Sequence, residues 1–153
     1  MRLTTKGRFA VTAMMDIALQ GGVSPVTLGD ISERQDISLS YLEQLFGKLR
    51  KNGLVTSTRG PGGGYRIRNP LGQITVGEII RAVDEMVDAT QCRGMKNCKG
   101  DDECITHELW MGLNERIFEY MDAVSLADLV SKRDMKLSGI KRVNFDHRTR
   151  HSN

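Results

Sequence analysis

Residues 38–68 read SLSYLEQLFGKLRKNGLVTSTRGPGGGYRIR, and they settle what kind of domain this is. Leu42, Leu45, Phe46 and Leu49 fall at i, i+3, i+4 and i+7, the apolar stripe of a helix that buries one face. Asn52-Gly53 stops that helix, because glycine suits the left-handed position just beyond a helix end. Leu54–Thr58 is then β-prone, Arg59–Gly64 turns, and Tyr65–Arg68 alternates like a return strand. A helix running straight into a β-hairpin is the reader-and-wing end of a winged helix-turn-helix.

Working upstream, a first helix is expected over Lys6–Gln20, with Ala10, Ala13, Met14 and Ile17 on one face and Gly21-Gly22 ending it. Thr27 is placed to cap a short second helix that buries Leu28 and Ile31. Gln35-Asp36 breaks that pattern, and Ile37 packs beneath the turn. The third helix starts near Ser38 or Ser40. Its polar face presents Ser40, Glu43, Gln44, Lys48 and Lys51. Gln pairs with adenine through two atoms, Glu accepts from the cytosine amino group, and Lys and Ser suit phosphates. Ser40-Tyr41-Leu42-Glu43 is equally a capping box, in which Glu43 would only tie down the helix start. Arg59 sits at the wing tip, where a guanidinium suits a narrow minor groove. A phosphate-cradling nucleotide loop is excluded at Gly60–Gly64, since a strand follows it and not a helix with a Lys-Ser/Thr pair.

Downstream, Thr75-Val76-Gly77-Glu78 opens a helix that buries Val76, Ile79, Ile80 and Val83. Cys92, Cys98 and Cys104 follow at C-x5-C-x5-C, with His107 beyond the last. Structural cysteines sit among apolar neighbours, and this loop of Arg93, Gly94, Lys96, Asn97, Lys99, Asp101 and Asp102 is too polar for that. A metal centre is the better use, with a transient disulfide as the alternative. Zinc sites usually pair cysteines at shorter spacings, whereas iron–sulfur clusters tolerate wider ones and accept an imidazole, so both metals stay open. A long amphipathic segment, Thr106–Val124, then carries Trp110, Leu113, Ile117, Tyr120, Met121 and Val124 on one stripe. That stripe packs against a second copy or against its own domain. Ser125 begins a short closing helix, and residues 132–153 are expected to be a basic, disordered tail.

Charge divides along the same boundaries. Residues 1–70 carry +5, residues 71–131 carry −7, and residues 132–153 carry +5. A basic front on an acidic middle suits a polyanion-binding unit joined to a part with another task. The expected domains are therefore a DNA-binding winged helix over 1–70 and a cysteine loop with dimerisation helices over 71–131, in a mainly α fold. The first residues lack a signal peptide, which predicts a cytoplasmic protein. No nucleophile–base pair or cleft motif points to catalysis.

Taken together these residues resemble the IscR-type iron–sulfur cluster regulators within a large family of winged-helix repressors. The resemblance runs from Met1 to about Val130. It rests on Leu3–Val11, Asp30–Gln35, Leu39–Phe46, Arg59–Tyr65, and Cys92, Cys98, Cys104 and His107. It implies a [2Fe–2S] cluster on those three cysteines and His107, supplied by the iron–sulfur assembly machinery. It also implies a homodimer on operator DNA that represses or activates iron–sulfur biogenesis genes, its own operon included, with Glu43 discriminating between sites. The DNA-facing set is then Arg2, Lys6, Arg8, Ser38, Ser40, Tyr41, Glu43, Gln44, Lys48, Arg59, Pro61 and Gly62. The cysteine loop carries fewer glycines than that branch leads one to expect, which bears on its flexibility. A nitric-oxide-responsive or zinc-stabilised regulator is the alternative, and an electron-transfer protein fits less well.

Overall fold

The computed structural model describes residues 3–149. Six helices and one hairpin follow in the order α1 (Thr5–Leu19), α2 (Leu28–Gln35), α3 (Leu39–Lys51), β1 (Val55–Thr58), β2 (Gly64–Ile67), α4 (Val76–Ala82), α5 (His107–Ala123) and α6 (Leu126–Thr149). A 3-10 turn at Leu71–Gln73 joins the wing to α4. No described helix is long and apolar enough to cross a membrane.

Each of the first three helices starts on a hydroxyl. Thr4, Thr27 and Ser38 accept from the Lys6, Asp30 and Tyr41 amides, which satisfies donors the helix itself leaves free. Thr27 and Asp30 form a reciprocal box, as do Thr75 and Glu78. Asp36 closes α2 in the left-handed region at φ 53°. The core is one cluster in which Ala10, Met14 and Ile17 of α1 meet Ile31, Ile37, Leu42, Phe46, Leu49 and Val55. It continues past residue 70, because Ile74, Ile79, Val83 and Leu126 belong to it. The winged helix is thus completed from the second half of the chain.

β1 and β2 pair antiparallel with Val55 opposite Ile67 and Thr58 opposite Gly64. The hairpin is also strapped to the body, since Val26 and Tyr65 exchange backbone hydrogen bonds at 2.9 and 2.7 Å. Gly64 must be glycine for that approach: a Cβ there would lie 2.5 Å from the Val26 carbonyl oxygen, and its φ is 145°. Tyr65 also packs on Phe46 at a tilt, 4.8 Å between ring centroids, which fixes the wing to the reader helix.

Residues 132–149 correct an expectation. The closing helix is long, not short, and runs through the segment expected to be disordered, to Thr149. The helix is anchored by Leu126 and Leu129 against the core. With no proline to interrupt it and good formers such as Lys, Arg, Met and Leu along it, it continues where apolar periodicity is missing. Residues 131–139 are exposed throughout.

Candidate metal centre and nucleic-acid interface

The cysteine loop lies between α4 and α5, and His107 is the first residue of α5. The Sγ atoms of Cys92 and Cys98 stand 3.3 Å apart. His107 Nδ1 lies 3.5 Å from Cys92 Sγ and 3.3 Å from Cys98 Sγ. These three ligand atoms fall within 4.8 Å of one another. Cys104 stands outside that trio but lines, with Cys98, His107 and Trp110, an adjoining cavity of about 320 Å³. All three cysteines are free thiols.

His107 is only 1% exposed, and its Nε2 has no hydrogen-bond partner among the described residues. A buried imidazole with an unpartnered nitrogen is costly as mere packing. With Nδ1 against the Cys92 and Cys98 sulfurs and Cys104 lining the adjoining cavity, it makes sense as a metal ligand, so the donor set fits a zinc ion or an iron–sulfur cluster. Burial pushes the Cys92 thiol up. Hydrogen bonds from Cys98, the Lys96 and Gly94 amides and the Thr90 hydroxyl outweigh it, bringing its pKa to about 6. Cys104 is lowered as well, chiefly by the Thr106 hydroxyl, while at Cys98 the backbone bond at Cys104 lowers the thiol but burial and its two thiol neighbours together raise it. The N-terminus of α5 adds favourable potential for thiolate charge.

The scarcity of glycine is met by other means. Arg93 and Lys96 adopt left-handed φ of 53° and 62°, beside Gly94 at 77° and Gly100 at 69°. Each such non-glycine turn costs about 1–2 kcal/mol. Lys96 pairs with Glu103 at 3.3 Å across the loop, and Asp88 accepts from Asn114 of α5 at 2.7 Å.

On the other half, Ser40, Glu43 and Gln44 lie exposed along α3. Ser38, not Ser40, caps that helix, accepting from the Tyr41 amide at 3.3 Å. The Ser40–Glu43 box is therefore not formed, and Glu43 is released from capping duty. Tyr41 is half-buried edge-on against Phe9 of α1, which seats α3 on α1. Arg59, Pro61 and Gly62 are exposed at the wing tip. Gly62 at φ 73° and Gly60 at φ 90° make the turn. Arg8 is exposed, and Arg2 lies outside the described residues. Lys6 and Lys48 are both engaged by Asp84, the first through its carbonyl at 2.8 Å and the second through its carboxylate at 2.9 Å. Asp84 and its neighbour Glu85 carry no signal in the sequence, since their partners lie 36 to 81 residues away.

A family model described as Rrf2, iron-dependent transcriptional regulator, matches residues 3–132. The chain belongs to the Rrf2 family. Among the relatives of this Rrf2 chain is the HTH-type transcriptional regulator IscR of Serratia proteamaculans, 56% identical over 149 residues, 97% of this chain and 91% of the relative. The solved T. potens IscR superposes with a TM-score of 0.71 at 37% identity, covering 87% of this chain and 88% of that one. CymR, the global cysteine regulator of B. subtilis, does so with a TM-score of 0.74 at 34% identity, covering 86% and 98%. This Rrf2 protein is a DNA-binding transcription regulator of winged-helix fold, in a family of regulators and not of enzymes. Its Cys and His group is compatible with an iron–sulfur cluster.

Proposed function

We propose that this chain is a cytoplasmic, iron–sulfur-cluster-dependent regulator that binds operator DNA as a homodimer. It controls iron–sulfur biogenesis genes and represses its own operon. The observation that carries this reading is buried His107, its Nδ1 against the Cys92 and Cys98 thiols, in a chain 56% identical to a regulator named IscR. Cys92, Cys98, Cys104 and His107 would hold a [2Fe–2S] cluster delivered by the iron–sulfur assembly machinery. When bound, the cluster supplies a redox-active, oxidant-sensitive centre.

The chain's own residues divide the remaining work. Ser40, Glu43 and Gln44 face bases in the major groove, and Arg59 enters the minor groove. Arg2, Lys6, Arg8 and Lys48 meet phosphates, while Ser38, Tyr41, Pro61 and Gly62 seat the reader helix and the wing. The second copy packs on α5, where Leu109, Trp110, Leu113 and Tyr120 are 62, 39, 37 and 68% exposed. A water-facing apolar stripe of that size favours a partner, and two-fold symmetry suits paired half-sites.

One observation favours a second reading, a single zinc ion. Cys92, Cys98 and His107 are close enough to share one ion without Cys104. Anaerobic purification with visible spectroscopy and metal analysis separates the two. A cluster gives iron, sulfide and broad visible absorption, all lost in Cys104→Ala. Colourless protein whose zinc survives Cys104→Ala would establish the second reading and overturn the first.

A further inference from the structure

Two acidic residues stand between the cysteine loop and the DNA-binding half. α4 ends in a Schellman turn: Asp84 takes φ 54°, its amide donates to the Arg81 carbonyl at 3.1 Å, and the Glu85 amide donates to that of Ile80 at 3.2 Å. Glu85, 6% exposed, accepts from the Thr4 amide at 2.9 Å, from the Thr4 hydroxyl, and from the Gly7 amide at 3.2 Å. α1 has no acidic residue in its own first turn, so Glu85 supplies the negative charge that a helix N-terminus attracts. Burial pushes its carboxyl up, and the bonds from Thr4 and Gly7 outweigh it, so the group stays ionised. Asp84, in the same turn, holds Lys6 of α1 and Lys48 of α3.

On the other side, only Met86 and Val87 separate Glu85 from Asp88. Asp88 is fastened to Asn114 and to the Thr90 amide, both at 2.7 Å. Thr90 Oγ1 in turn accepts from the Gly94 amide at 2.9 Å, beyond Cys92. Hydrogen bonds therefore run from the cysteine loop to Asp88, and a two-residue link joins that point to the Glu85 clamp.

We propose that Asp84 and Glu85 are positioning residues through which the state of the Cys92–Cys104 loop reaches the N-terminus of α1 and the lysines Lys6 and Lys48. The inference rests on the reading of that loop as a cluster site controlling DNA binding. A rearrangement around Cys92 is passed through Thr90 and Asp88 to the short link, and the link acts on a buried carboxylate. Displacing Glu85 breaks its bonds to Thr4 and Gly7. The packing of α1 on α4 has little slack, since a Cβ on Gly7 would lie 2.9 Å from Ile80 Cδ1 and 3.0 Å from Glu85 Cγ. Asp84 moves with its neighbour and changes how the two lysines are presented to phosphates.

Amide hydrogen exchange on the full chain without DNA, cluster-loaded and cluster-free, tests this directly. The Thr4 and Gly7 amides should exchange at different rates in the two states, and Glu85→Gln should raise both to one common faster rate. Equal rates in the unmodified chain overturn the proposal without relying on any variant. Operator affinity at one salt concentration gives the second readout. Glu85→Gln that keeps the cluster's absorption should collapse the loaded-to-free affinity ratio to one, and a ratio equal to that of the unmodified protein overturns the proposal. If the unmodified chain binds operator equally in both states while Gly7 exchange still differs, cluster control of DNA binding fails and the relay stands.

Discussion

Asp16, buried in α1, receives a forked pair of hydrogen bonds from Arg34 of α2, Nη2 at 2.7 Å and Nε at 3.0 Å. Gln35 Nε2 completes the shell at 2.7 Å. The two partners differ in exposure, 2% for Asp16 against 38% for Arg34, so their removal should not cost the same. Arg34→Met leaves a buried carboxylate with one neutral donor and should cost about 2–4 kcal/mol. Asp16→Asn leaves a half-exposed guanidinium that water can reach, and about 1–2 kcal/mol is expected. Urea unfolding of both variants checks the order, and a larger loss for Asp16→Asn would contradict it.

The same pair gives a pH dependence. Burial raises the Asp16 carboxyl, but the hydrogen bonds from Arg34 and Gln35 and the Arg34 charge win and hold it below its ordinary value of 3.8. A carboxyl depressed in the folded state contributes stability that is complete above its unfolded value. That contribution is lost as pH falls through the lower folded value. Unfolding free energy should therefore fall below about pH 4, and Asp16→Asn should flatten that decline. Parallel pH curves for the two proteins would remove Asp16 as the cause.

Gly77 of α4 lies close against Asp122 of α5. A Cβ there would run into Asp122 Oδ1, the oxygen that pairs with Arg81 Nη1 at 2.7 Å. Alanine is the better helix former by about 1 kcal/mol, yet overpacking of about 1–3 kcal/mol should win. Gly77→Ala should lower Tm by a few degrees, about 2–4 °C per kcal/mol for a chain of this size. An unchanged or raised Tm would mean that the α5 side yields freely.

On DNA, Gln44→Ala should relax base preference at its position by about 1–3 kcal/mol while sparing non-specific binding. Arg8→Ala should weaken all sequences alike and reduce the salt slope by about 0.9, the share of a single neutralised phosphate. Arg59→Ala should weaken sites with narrow minor grooves most. Titration of several operators across salt concentrations distinguishes these patterns, and a uniform drop for Arg59→Ala would displace it from the minor groove.

Leu113→Asp puts a charge in the middle of the exposed stripe on α5. Sedimentation should show a monomer, with Tm of the isolated chain changed little because the position is already exposed. A dimer that survives this change would place the interface elsewhere.

Much of this is legible because it is local. The Leu42, Leu45, Phe46, Leu49 stripe and the Thr27 and Thr75 caps are read from residues within two turns of each other, and they form as the spacing predicts. The reader-helix start is ambiguous in sequence because two serines stand two apart, and only the backbone decides which of them caps. The tail departs from expectation because a helix anchored at Leu126 and Leu129 can continue without an apolar stripe of its own. The Glu85 clamp and the Asp16–Arg34 fork are invisible in sequence, since each joins groups that lie 18 to 81 residues apart.

The backbone bridge between Val26 and Tyr65 has a consequence for operator choice. Together with the Phe46–Tyr65 ring contact it makes reader helix and wing a fixed caliper, not two independently hinged probes. On the proposed DNA contacts, the gap between the bases met in the major groove and the minor groove entered by Arg59 is then a constant of the protein. Inserting one base pair into that gap rotates one end out of phase by about a tenth of a helical turn, and a caliper cannot follow it.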